Sequence, residues 1–224
     1  MAFQLNFRNS PLPNSPAEYD AQYIRQMIRV LELYFDQLDA WNLQLYNALS
    51  GVTGNNIVLP HVCASDTTDQ LAGGDNTPTV VNFNTLDSGF GWTLNAPGSA
   101  TSDFAGVYKI TYSIEFANTA NAIHNATVWL ENNGNPITNS ATFFSVPARK
   151  SAGNPSFICA YSEVTFEVAV GDEITLYWAT DKAYDDSPAV DGVYMHYEAA
   201  QTVPYTHPAV PSVVGSIVYV SATT

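Results

Sequence analysis

The sequence predicts a mainly β protein, an antiparallel sandwich preceded by one long α-helix and an extended N-terminal arm. Two changes of rhythm predict it. Apolar residues keep a seven-residue beat between residues 24 and 48. A two-residue beat then takes over, clearest at Tyr108, Ile110, Tyr112, Ile114 and Phe116, interleaved with Lys109, Thr111, Ser113 and Glu115. Clusters of Gly, Pro, Asn and Asp punctuate the second part, where no further helical pattern occurs.

Residues 1–15 alternate Phe3, Leu5 and Phe7 and then carry Pro11 and Pro13, with Pro16 following, which hold a backbone extended. Such an arm has no core of its own. It reads either as a disordered terminus or as an anchor that lies on a neighbouring chain. Ser15-Pro16-Ala17-Glu18 is a capping box with proline at the first helical position, so a helix is expected over residues 16–50. Gly51 and Gly54-Asn55-Asn56 end it and make residues 51–56 a hinge.

Within that helix Ile24, Leu31, Leu38 and Leu45 fall at sevens, and Met27, Tyr34, Trp41 and Ala48 fall three residues after each. These are a and d positions of a coiled coil, and the oligomerisation seam is expected to run along them. Trp41 is bulky for a close parallel coiled coil, which favours a wider three-helix bundle or packing of the helix under the head. The head, residues 57–224, is expected to hold strands at 57–63, 79–84, 108–116, 126–131, 142–146, 157–168, 173–179, 192–198 and 213–220. Tight turns are expected at Asn132-Asn133-Gly134-Asn135 and at Gly171-Asp172.

Charged residues make up only 12% of the chain, yet 21 acids against 7 bases leave a net charge of -14. Nucleic acid would be repelled by this surface. The scattered bases form no polybasic membrane patch, and no run of eighteen apolar residues offers membrane insertion. Residues 1–14 lack the pattern of a secretory signal, so a soluble chain made in a cytoplasm is expected. Cys63 and Cys159 lie in apolar, strand-like stretches and read as buried thiols, with a disulfide between them left open.

Chemistry is hard to find in the sequence. His61, His124, His196 and His207 lack zinc-ligand spacing, and no nucleophile elbow or phosphate loop is present, so no cofactor and no catalytic residue is assigned. The acidic run from residue 181 to 192 gathers Asp181, Asp185, Asp186 and Asp191. It reads as a solvated loop, with a calcium site, part of a binding face or a catalytic carboxylate pair as the alternatives. Tyr108, Tyr112, Trp129, Tyr177 and Trp178 belong to strand patterns and are expected in the core or at a trimer axis. Tyr161 and Tyr184, near polar turns, are the expected ligand face.

Phe104-x-Gly106-x-Tyr108-x-Ile110, then Val128-Trp129-Leu130 with Asn133-Gly134, then Val170-Gly171-Asp172-Glu173-Ile174-x-Leu176 resemble, in that order, the ten-stranded jelly roll of the tumour necrosis factor and complement-head superfamily. The likeness covers roughly residues 57–199. It implies a homotrimer of jelly-roll sandwiches on a stalk, binding partners without doing chemistry. The chain departs from that pattern after a proline-rich passage, which leaves the place of the last strand, Ser212 to Val220, open.

Pro11-Leu12-Pro13-x-x-Pro16-x-x-Tyr19, leading to Leu31-x-Leu33-Tyr34-Phe35-x-Gln37-Leu38-Asp39, with Pro211-Ser212-Val213 near the end, resembles virion structural proteins of tailed bacteriophages. That resemblance implies location in a virion, attachment to other virion proteins through residues 1–50, and a displayed head. The head would contact a host surface glycan or protein if the chain belongs to a tail fibre or spike. On a capsid the same trimer would be a decoration or cement protein. A polysaccharide-degrading spike enzyme is the alternative of another class, and a cellular signalling module would call for a signal or anchor that the sequence does not show.

Overall fold

The computed structural model describes residues 21–50, 58–186 and 189–223. The arm with Phe3, Leu5, Phe7, Pro11 and Pro13, the Ser15 cap and the hinge lie outside the described residues, and the side chain of Leu45 does too. The chain falls into two units that divide between Val58 and Leu59. The described part of the first is a single helix, α1 (Ala21–Ser50).

The second unit is built from strands β1 (His61–Asp66), β2 (Thr79–Val80), β3 (Thr85–Phe90), β4 (Trp92–Asn95), β5 (Ser99–Ser102), β6 (Gly106–Asn118), β7 (His124–Asn132), β8 (Asn135–Pro136), β9 (Thr142–Val146), β10 (Ser156–Val168), β11 (Glu173–Thr180), β12 (Asp185–Asp186), β13 (Ala189–Val190), β14 (Val193–Met195) and β15 (Val213–Ser221). One sheet, here called the front sheet, runs β10-β6-β15-β1-β3, with β14 also on β6. The back sheet runs β4-β5-β11-β7-β8, with β2 on β11 and β9 on β7. The chain crosses repeatedly between them, β1 front, β5 back, β6 front, β7 back, β10 front, β11 back and β15 front. That alternation is jelly-roll connectivity. The open question of the last strand is answered by its pairing: β15 lies antiparallel between β6 and β1, at the centre of the front sheet.

The two-residue beat explains the core. In β6 the odd-even alternation sends Tyr108, Ile110, Tyr112, Ile114 and Phe116 inward, each at most 5% exposed, and leaves Lys109, Thr111, Ser113 and Glu115 half-buried on the other face. From the back sheet Val128, Leu130, Ile174, Leu176 and Trp178 meet them. The Trp92 ring stands edge-on to Tyr108 at 5.0 Å, and Phe116 lies 5.5 Å from Trp178.

Both expected turns form. Asn133 (φ 51°) and Gly134 (φ 74°) occupy the left-handed region of a two-residue hairpin between β7 and β8. At the other, between β10 and β11, the Asp172 carboxylate accepts from the Ala169 N–H at 2.8 Å, Asn132 Nδ2 at 3.0 Å and Asn133 Nδ2 at 2.8 Å. Burial would raise this carboxyl, but the three donors outweigh it and hold its pKa below the ordinary value. A folded-state pKa that is lowered contributes stability above the carboxylate range and loses it as pH falls through that range. Asp172→Ala is therefore expected to lower stability by about 2 kcal/mol at pH 7. In urea melts the difference from the parent should shrink toward pH 3.

Several sequence expectations shift. The strand predicted at 57–63 is β1, at 61–66, and the one at 79–84 shortens to β2, after which Val81 is already inside the core. The strand predicted at 192–198 is only β14. Strands β3, β4 and β5 lie where no strand was expected. The cysteines are free, Cys63 half-buried and Cys159 exposed, so neither is a buried thiol. They lie on β1 and β10 with β15 and β6 between, three strand spacings or roughly 14 Å apart, which rules out a bond within one chain.

Candidate functional site

On α1 the seam residues Ile24, Met27, Leu38 and Trp41 are half-buried, whereas Leu31 and Tyr34 are exposed. All five charged residues of the helix, Arg25, Arg29, Glu32, Asp36 and Asp39, fall on the adjacent b and f positions opposite that seam. The flanks of the seam carry no charge, with Tyr23, Val30, Gln37 and Gln44 on one side and Ile28, Phe35 and Asn42 on the other. Ile28 and Phe35 stand beside it at 47% and 60% exposed.

The outward face of the front sheet is the second assembly candidate. Register and pleat place Phe157, Cys159 and Tyr161 of β10 beside Ala117, Glu115 and Ser113 of β6. Val214, Ser216 and Val218 of β15 continue the face to Cys63 and His61 of β1. Phe157, Tyr161, Val218 and Val220 are exposed there. These exposed apolar side chains stand in two groups, Phe157 and Tyr161 on β10 and Val218 and Val220 on β15, with polar residues of β6 between them. Thr111 and Ser216 hydroxyls bond across it at 2.6 Å, and Lys109 and Glu163 pair at 3.7 Å.

Tyr161 and Tyr184, expected together as a ligand face, belong to different places. Tyr161 lies mid-strand on the front face, 57% exposed, and donates to Glu163 Oε2 at 3.2 Å. Tyr184 packs its ring 4.9 Å from Tyr194, in a cluster that continues through His196 to Phe157, 4.9 Å further. His196 Nδ1 lies 3.5 Å from Asp69 and 3.4 Å from the Tyr194 hydroxyl. Desolvation, then the nearby Asp69 carboxylate, push the Tyr194 phenol up to about 12. Desolvation also raises Glu115 against the pull of His196, and it raises the Cys159 thiol, which Glu115 pushes further. A thiol held that way is protonated and unreactive at neutral pH. Sequence reasoning missed Phe157, Tyr194 and His196 as a group because they come from two segments far apart in the chain.

The four acidic candidates do not converge. Asp181 accepts the Asn125 N–H at 2.9 Å and faces His124 at 3.2 Å, while Asp191 pairs with Arg149 at 2.9 Å. Asp185 and Asp186 lie in the β12–β13 ribbon with their backbones paired to Val190 and Ala189. Among the described residues no three His, Cys, Asp or Glu side chains form a group that could hold a metal ion, so the calcium alternative has no ligand set there. An apolar cavity of about 50 Å³ lies between the sheets, bounded by Val62, Phe83, Ile110, Leu176 and Ile217. It is roughly a third of the size of a cavity of about 150 Å³ that admits benzene.

The back sheet carries a feature that the sequence reading placed in the core or at a trimer axis. Trp129 and Tyr177 are a directly opposed cross-strand pair on its outward face, half-buried, with ring centroids 5.7 Å apart and planes 15° from parallel. Glu131 Oε1 accepts the Trp129 Nε1–H at 3.1 Å. Phe143, 64% exposed, stands on the same face on β9, opposite Thr127.

The head is thus a jelly-roll sandwich whose two outward faces both set exposed aromatic or aliphatic side chains among polar ones. No protein family matches it, and no curated protein is similar to it. No helix among the described residues is long and apolar enough to cross a membrane.

Proposed function

We propose that this protein is a non-enzymatic structural component of a bacteriophage particle, a homotrimer whose helix and arm join it to other virion proteins and whose head is displayed. The observation that carries the assembly part is the apolar character of α1. Its seam is apolar, Ile28 and Phe35 widen it on one flank, and its charges are confined to the b and f positions. In a two-stranded coil the flanking positions are ordinarily charged and wet, so Ile28 and Phe35 favour three or more helices around the seam. Exposed Phe157 and Tyr161 on β10, and Val218 and Val220 on β15, are the side chains that self-association of the head would cover on the front sheet. The phage part rests on the resemblance of the arm and helix motifs to virion proteins. A tail fibre or spike component that touches the host surface fits a head with one face left for recognition.

The test is the mass of the purified full chain by light scattering, joined to antibody labelling of purified particles. A mass near three times 24.3 kDa is expected, with few copies at the tail. A monomer at micromolar concentration would overturn the assembly reading. Many copies over the head would make it a capsid decoration protein, and absence from particles would remove the virion assignment.

A further inference from the structure

The geometry points to the outward face of the back sheet as a binding site for a neutral glycan, centred on Trp129 and Tyr177. This rests on the reading above in one respect: the front face is taken as the one that copies of the chain cover.

The outward face of a sandwich sheet is ordinarily polar. Here its centre is an aromatic ridge, Tyr177 against Trp129, fixed by the bond from the indole N–H to Glu131. In the next row of the sheet stand Ala179 and Thr127, a register pair of small residues, with Phe143 beyond Thr127. Rows on one face are two residues apart, roughly 7 Å. The ridge therefore borders a shallow step floored by a methyl and a hydroxyl group and closed by the exposed Phe143 ring. On the other side of the ridge the row is Thr175 and Glu131, with Ser99 opposite Thr175.

That combination suits a sugar. A pyranose has one face of C–H groups, which pack on an aromatic ring, and a rim of hydroxyls, which need neutral donors and acceptors. The rows bordering the ridge supply the Thr127 and Thr175 hydroxyls for that rim. A protein partner would call for more apolar area than this ridge and Phe143 offer. The charges nearby decide the sign of the ligand. Glu131, Glu173 and Asp181 are acidic on a chain of net charge -14, which disfavours a sialylated or phosphorylated glycan and any nucleic acid.

The experiment titrates the full chain with neutral glucan, mannan and chitin oligosaccharides, read by calorimetry and by tryptophan fluorescence, with a sialylated oligosaccharide as the anionic comparison. Saturable binding of at least one neutral oligosaccharide is expected, weakened about tenfold or more by Trp129→Ala or Tyr177→Ala and largely restored in Trp129→Phe. Because this pair also braces the sheet, each variant is taken only with its thermal unfolding and its mass in hand. No binding across the panel would overturn the site, as would binding that Trp129→Ala and Tyr177→Ala leave unchanged. Tighter binding of the sialylated sugar would overturn its neutral specificity. Failure here with a trimeric mass leaves the assembly reading standing, whereas a monomeric mass refutes that reading whatever the sugars do.

Discussion

Leu31→Asp combined with Leu38→Asp is expected to convert the assembled protein into monomers with intact heads. Both residues sit at a positions one heptad apart, on the side of α1 away from its charged stripe. A carboxylate buried in an apolar seam without a partner costs several kcal/mol. In a trimer each substitution is made three times around one axis, so the like charges also repel. The association constant should fall by about a thousandfold or more. Sedimentation of the full chain at several concentrations reads this directly. Leu33→Asp makes the contrast, since residue 33 is a c position away from the seam and should leave the mass unchanged. A double variant that remains trimeric would show that α1 is no assembly surface and shift the burden to the front sheet.

Local patterns in this chain were legible and long-range ones were not. The alternation in β6 is visible because one strand face is apolar and the other polar over the nine residues from Tyr108 to Phe116. Asn133-Gly134 and Gly171-Asp172 declare their hairpins for the same local reason: each turn needs residues that tolerate positive φ or that bond their own backbone. Strand β3 is silent in the sequence because it lies at the edge of the front sheet with every residue exposed, so nothing in Thr85–Phe90 has to alternate. The place of β15 depends on pairing with β6, about a hundred residues away, and with β1, further still, which no window of sequence contains. The acidic run misled in another way. Its carboxylates are neighbours in sequence, but the structure gives Asp181 to the N-terminal end of β7 and Asp191 to Arg149.

The aromatic pair on the back sheet was legible after all, had the pleat been counted outward from Glu131. Ala126, Val128 and Leu130 are fully or almost fully buried, so Asn125, Thr127, Trp129 and Glu131 must face out. Read as the continuous apolar run Val128-Trp129-Leu130, the same stretch looks like core. The polar residues at the same parity settle it.

That parity makes a sharp prediction about two tryptophans, and it is the larger effect on stability. Trp178 and Trp129 belong to neighbouring strands, one residue out of step: Tyr177 faces Trp129, and Trp178 faces Val128. Trp178 is 0% exposed and packs against Phe116. Trp178→Ala is expected to cost about 3–5 kcal/mol, because the lost burial adds to a cavity that the rigid sandwich cannot close. In a head of this size that lowers the melting temperature by roughly 10 °C or more. Trp129→Ala should cost only about 1 kcal/mol, the worth of a cross-strand aromatic pair on a solvent face. Trp178→Phe separates packing from polarity. The Trp178 indole N–H is buried without a partner, so the smaller ring gives up some volume while relieving an unpaired donor. It should fall between the other two variants in thermal melts. Equal losses for Trp178→Ala and Trp129→Ala would mean that β7 and β11 are out of register, and the glycan-facing ridge would go with them.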